Sequence, residues 1–144
     1  MKKIALLLIS ALTAATALAA GPTPEAKALI KAEMVKAAHV TPADLKTELE
    51  SGKDIVLIDI RQKSERPIMG LITKDDLHIP RGFLEIRAYG KVPDRNAEIV
   101  TYCGKGIRSA FATNTLANMG YKNVRNLKGG ARAWKQAGFP TLQP

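Results

Sequence analysis

Residues 54–60, DIVLIDI, form a nearly unbroken run of β-branched and aliphatic side chains. Such a run fits a strand buried on both faces of a parallel sheet better than one that alternates between core and solvent. EIVTY at 98–102 and NVRNL at 123–127 read as strands of the same sheet. Between and after them the apolar period lengthens: residues 108–119 predict a helix closed by Gly120, and GGARAWKQAG at 129–138 a short final helix. Upstream, Thr41-Pro42-Ala43-Asp44 supplies a cap, a proline at the first helical position and an acid in the first turn, opening a helix that Ser51-Gly52 stops. An alanine-rich helix is expected from Glu25 to about Ala38, with Ala26, Leu29, Ile30 and Met34 on roughly one stripe. Residues 62–98 are less regular, with a short helix around Ser64, a loop at GLITKDD, a short strand at LHIP and a turn at PRGF. Strands alternating with helices at this spacing predict an α/β fold: a mostly parallel central sheet flanked by helices, with an N-terminal helical extension.

The chain opens on Lys2 and Lys3, an apolar run from Ile4 to Ile9, and small residues ending in Ala17-Leu18-Ala19. That is the anatomy of an export signal and its cleavage site. The expected organisation is a signal peptide over 1–19, a linker and helical extension over 20–40, and one domain over 41–144. The apolar run is short for a bilayer span, and no cysteine stands at the cleavage point to take a lipid. The expectation is therefore a periplasmic protein with its signal removed and no stable membrane anchor. The formal charge of +9 stays well positive without Lys2 and Lys3, but the basic residues are scattered, with no basic run or interleaved aromatics. This points away from nucleic acid and toward small anions.

Cys103 is the only cysteine. In an exported chain an unpaired cysteine suggests a reactive thiol or an intermolecular bridge. It stands where the EIVTY strand gives way to a helix, at the strand edge where open α/β sheets gather ligands. Gly104 and Gly106 let the backbone curl so that several N–H groups point inward. The following helix terminus, Lys105 and Arg108 add positive potential, and all of these stabilise negative charge on sulfur. His39 and His78 lack a second-ligand pattern, and no His/Cys/Asp grouping has zinc-like spacing, so no metal and no organic cofactor are expected. Asp59 reads as a buried hydrogen-bonding residue and Trp134 as a core filler between helix and sheet.

Three stretches resemble the rhodanese-like sulfurtransferases, over about residues 41–140: LIDIR at the first buried strand, YCGKGIRSA as a six-residue active-site loop with the catalytic cysteine first, and NLKGGARAWKQAGFP as a closing signature. Where that family has a Gly-His-Ile-Pro-Gly-Ala segment, this chain has GLITKDD followed by LHIPRGFLE. With the helical extension, the export signal and the lone loop cysteine, that segment is similar to the periplasmic polysulfide-sulfur transferases. The resemblance implies a sulfurtransferase in which Cys103 takes sulfane sulfur from polysulfide or thiosulfate as a persulfide and passes it to a thiophilic acceptor. The N–H groups from Gly104 through Lys105, Gly106, Ile107, Arg108 and Ser109 would cradle that sulfur. Arg108 would brace the loop and contact an anionic donor, and Lys105 would draw donors in. Arg61 either reaches the same mouth or pairs with Glu65 or Asp59, and Arg81 is a third candidate anion contact. The implied partners are a small anionic sulfur donor and a sulfur-accepting reductase, with a homodimer as one assembly. The alternative is a sulfur carrier or docking module that delivers sulfur to a partner protein without turnover. Cysteine phosphatases also use a Cys-to-Arg loop after a strand, but they place one residue more between the two than Gly104, Lys105, Gly106 and Ile107. The smaller ring suits a sulfur atom carried on the cysteine.

Overall fold

In the computed structural model, which describes residues 21–144, the aliphatic runs assemble into a five-stranded parallel sheet ordered β1-β5-β4-β2-β3. Its strands are β1 (His39–Val40), β2 (Val56–Asp59), β3 (Leu77–His78), β4 (Glu98–Tyr102) and β5 (Asn123–Leu127). The helices are α1 (Pro24–Lys36), α2 (Pro42–Glu50), α3 (Arg66–Met69), α4 (Leu84–Lys91), α5 (Ile107–Asn118) and α6 (Gly130–Gln136), with tight 3-10 turns at Lys63–Glu65 and Arg81–Phe83. The signal expected over 1–19 lies outside the described residues. Residues 32–144 form one compact unit that contains the whole sheet, and the described residues up to Lys31 belong to a second unit. The described part of that second unit is a Gly-Pro lead-in and the first turns of α1.

The central strands carry apolar side chains on both faces because both faces are covered. On one side Leu57, Val100, Tyr102 and Leu127 pack with Val40, Leu45 and Trp134. On the other, Ile58, Ile60 and Ile99 pack with Ile79, Leu84, Leu116 and Val124. Thr41 caps α2 as expected, its hydroxyl accepting from the Asp44 N–H at 3.1 Å. Trp134 fills the core, and its Nε1–H donates to the Pro140 carbonyl at 2.8 Å, which satisfies the one polar atom the indole would otherwise bury.

Two elements exceed the sequence expectation. β1 is only two residues long, too short to leave a pattern, and is held by pairing with β5. α4 occupies the stretch read as irregular after the turn at 80–83. Its inward residues are only Leu84 and Ala88, whereas Ile86 and Tyr89 are exposed, so its apolar period is blurred.

Arg125 of β5 donates its two terminal nitrogens to Glu48 of α2 at 2.8 and 2.7 Å. This fork holds the Glu48 carboxyl at about 2, below its ordinary 4.5. Because the folded value is the lower one, the pair contributes its full stabilisation above pH 4.5 and loses it as pH falls toward about 2. Glu48→Gln is expected to lower Tm at neutral pH, and its offset from wild type should shrink through that acid window. Thermal melts across the range check this, and an offset independent of pH contradicts it.

Candidate active site

β4 ends at Tyr102 and α5 begins at Ile107, which leaves residues 103–106 as a turn at the carboxyl edge of the sheet. Gly106 makes the turn, with a left-handed φ of +85° that a side chain would strain. Its N–H donates to Cys103 Sγ at 3.1 Å, and the Ser109 hydroxyl lies 3.5 Å from the same sulfur. The sulfur therefore faces the first turn of α5, where unpaired amides carry partial positive charge. Cys103 is buried, and a pocket of about 340 Å³ opens beside it, lined by Glu65, Met69, Cys103, Gly104, Lys105, Ile107 and Arg108.

The loop rests on the next strand–helix junction. Gly130, at φ +62°, lies so close beneath it that a Cβ there would come within 2.4 Å of the Cys103 carbonyl oxygen and 2.8 Å of the Gly106 nitrogen. A Cβ on Gly106 would in turn meet the Gly129 nitrogen at 2.8 Å. This contact lets the first amides of α6 bind the loop's carbonyls: Ala131 N–H donates to Cys103 O at 2.8 Å and Arg132 N–H to Gly104 O at 3.0 Å. Asn126 Nδ2 donates to Gly106 O at 3.0 Å. The supporting roles of Gly129, Gly130 and Asn126 were absent from the sequence-derived site. The paired glycines before a helix were the available signal, read there as a helix start and as part of the closing signature but not as support for the loop.

The arginines divide differently from the expectation. Arg108 donates Nη1 and Nη2 to Glu65 at 2.9 and 2.6 Å, and Glu65 also accepts the Gln62 N–H at 2.8 Å. The Arg108 fork holds the Glu65 carboxyl down at about 2, and Glu65 raises the guanidinium's own value. Arg108 thus braces the loop against the turn that follows β2, while its exposed guanidinium also lines the pocket. Glu65 lines the pocket and was missed as a site residue, because its partner lies 43 positions away.

Arg61 and Arg81 do not line the pocket: Arg61 takes the Asp59 pairing, one of the two alternatives the sequence left open, and Arg81 is not the anion contact expected there. Arg61 is 1% exposed; it donates to Asp59 at 2.9 and 2.7 Å and to the Gly70 carbonyl at 2.8 Å. A buried guanidinium needs such a partner to offset its desolvation. Asp59 also takes Arg66 Nε at 3.0 Å and lies 3.2 Å from the Tyr102 hydroxyl, which makes it the buried hydrogen-bonding centre expected. Arg81 is held by Glu85 at 2.8 Å and by the Thr115 hydroxyl at 3.0 Å. Lys105 is exposed at the pocket's mouth. His78 Nε2 meets the Arg61 carbonyl at 2.8 Å, a structural role.

The rhodanese-like domain family matches residues 41–137. The chain belongs to the rhodanese-like family. It is 36% identical over 106 residues to a sulfurtransferase of Allochromatium vinosum, covering 74% of this chain and 95% of that one. It is 33% identical, with a TM-score of 0.71, to the polysulfide-sulfur transferase homodimer of Wolinella succinogenes, over 82% of this chain and 87% of that chain. A Rhodopseudomonas palustris protein of unknown function, described as a possible tyrosine phosphatase, is 34% identical with a TM-score of 0.72, over 80% and 92% of the two chains.

For this rhodanese-like chain the contact under the loop can be weighed directly. Gly130→Ala adds an overpacked methyl to a left-handed residue, and the two together should cost roughly 3 kcal/mol. Gly138 also has a positive φ, of +78°, but nothing lies within 4 Å of a Cβ there. Gly138→Ala should therefore cost only the backbone share, about 1 kcal/mol. Denaturant unfolding of both variants is the check, and equal losses would refute the close packing beneath Cys103.

Proposed function

We propose that this rhodanese-like protein is a sulfurtransferase that moves sulfane sulfur through a persulfide on Cys103, with polysulfide as the favoured donor and thiosulfate as the competing one. The observation that carries this is the placement of the Cys103 sulfur at the floor of an open pocket, against the Gly106 N–H and the first turn of α5. In the first step the thiolate attacks the outer sulfur of the donor. A Cys–S bond forms, the donor's own S–S bond breaks, and its electron pair leaves on the shortened polysulfide or sulfite. In the second step a nucleophilic acceptor attacks the outer persulfide sulfur and the Cys103 thiolate leaves. The Gly106 N–H and the Ser109 hydroxyl hold negative charge on sulfur in both resting states.

Polysulfide is favoured by the lining. Met69 and Ile107 give the pocket an apolar wall suited to a chain of sulfur atoms, while Lys105 and the Glu65-paired Arg108 are the exposed cations of its lining. The likeness to the Wolinella succinogenes polysulfide-sulfur transferase homodimer supports the same donor and makes a homodimer the assembly to test. The export signal read in the sequence makes the periplasm the place of action and a sulfur-accepting reductase the fitting partner.

Intact mass of the mature protein after separate incubation with polysulfide, thiosulfate and mercaptopyruvate tests this reading. The expected result is a chain starting near Ala20 that gains sulfur from polysulfide, with no gain in Cys103→Ser, whose hydroxyl is far less nucleophilic. Sulfur retained on Cys103→Ser would rule out the mechanism.

A further inference from the structure

Asn126 is fully buried on β5 and lies opposite His39 of β1 in the sheet register. Its Nδ2 is 3.0 Å from the Gly106 carbonyl oxygen and 3.1 Å from His39 Nδ1, and its Oδ1 has no hydrogen-bond partner among the described residues. A carbonyl oxygen can only accept, so the amide must turn its NH₂ toward Gly106. Both of its hydrogens are then committed, one to Gly106 and the other to His39 Nδ1, which must be the unprotonated nitrogen of the ring. On the ring's other side Nε2 is 2.7 Å from the Met34 carbonyl, a second obligate acceptor, so Nε2 carries the proton. One arrangement of protons satisfies the whole series Met34, His39, Asn126, Gly106. It ends at the residue whose own N–H donates to Cys103 Sγ.

We propose that Asn126 is a positioning residue for the Cys103 thiol, and that His39 sets the orientation of its amide. Gly106 O also accepts the Ala110 N–H at 3.2 Å, the first hydrogen bond of α5. The Asn126 bond ties the same peptide to β5, so that the start of the helix and the edge of the sheet are joined at one oxygen. Gly106 has no side chain to limit its dihedrals, so a bond that fixes its carbonyl removes part of the freedom by which its own N–H could turn from the sulfur. Inverting the Asn126 amide would set Oδ1 against the Gly106 oxygen, acceptor facing acceptor. A group at position 39 that can only donate would meet the Asn126 NH₂ with another donor, and it could be accommodated only by that inversion or by loss of the contact. The inference rests on the reading of Cys103 as the nucleophile but holds for any donor.

The test is the rate at which iodoacetamide alkylates Cys103 in the mature protein, with Tm recorded for every variant. Alkylation needs no sulfur chemistry, so a failure here is distinct from a failure to load sulfur. His39→Gln keeps one donor and one acceptor and should alkylate within about twofold of wild type. His39→Lys keeps only donors and should be slower by about threefold to tenfold, the factor one hydrogen bond is worth. His39 is exposed, so both variants are expected to fold. In an Asn126→Ala background His39→Lys should have no further effect, the signature of two residues acting through one contact. Equal rates for the Gln and Lys variants, or an undiminished Lys effect without Asn126, would overturn the proposal. If Asn126→Ala does not melt cooperatively, the Gln and Lys comparison in the native background decides alone.

Discussion

The loop that carries Cys103 depends on the close approach of two glycine turns. β4 and β5 are neighbouring parallel strands, and each passes at its carboxyl end into a helix, so the two turns must cross at backbone contact distance. Gly106 and Gly130 make that possible, since a Cβ on either would lie within 3 Å of the other turn's backbone. The consequence is chemical as well as steric. With the Cys103 and Gly104 carbonyls turned away to meet the amides of α6, the opposite side of the loop is left to its N–H groups, and the Gly106 N–H lands on the sulfur. An anion-binding turn is made by disposing of its acceptors elsewhere.

Around this turn the charged groups are paired in layers. Deepest is the cluster of Asp59, Arg61, Arg66, Tyr102 and Asp76, in which Tyr102 donates to Asp76 at 2.5 Å and anchors the residue just before Cys103. Burial raises the Asp76 carboxyl and the Tyr102 phenol above their ordinary values, which keeps Tyr102 a neutral donor. Nearer the surface the Arg108–Glu65 fork ties the loop to the segment after β2. The result is a pocket in which Arg108 is paired with Glu65, Met69 and Ile107 add apolar surface, and Lys105 stands exposed.

Much of this was legible in the sequence. The apolar runs at 56–59 and 98–102 read as buried strands and 123–127 as a third strand of the same sheet, and the lone cysteine stood out between a strand and a helix before any geometry was known. What escaped was of two kinds. β1 and α4 carry too few inward residues to impose a period, and only their neighbours hold them in place. Glu65, Asn126 and Gly130 act on the loop from distant parts of the chain, and nothing local in the sequence records a contact of that sort. The arginines show the same limit from the other side: charge and a place near the sheet's edge described Arg61 and Arg81 equally well as donor contacts, but Asp59 and Glu85 claim them.

The central claim is that the Gly106 amide holds the sulfur on Cys103 in both its free and loaded states. The most direct measurement is the amide proton resonance of Gly106 in isotope-labelled protein through a cycle of loading and reduction. The resonance should move when polysulfide is added, stay moved after excess donor is removed, and return when dithiothreitol strips the sulfur, with no movement in Cys103→Ser. A Gly106 resonance that stays in place while mass spectrometry shows the sulfur bound would contradict the claim.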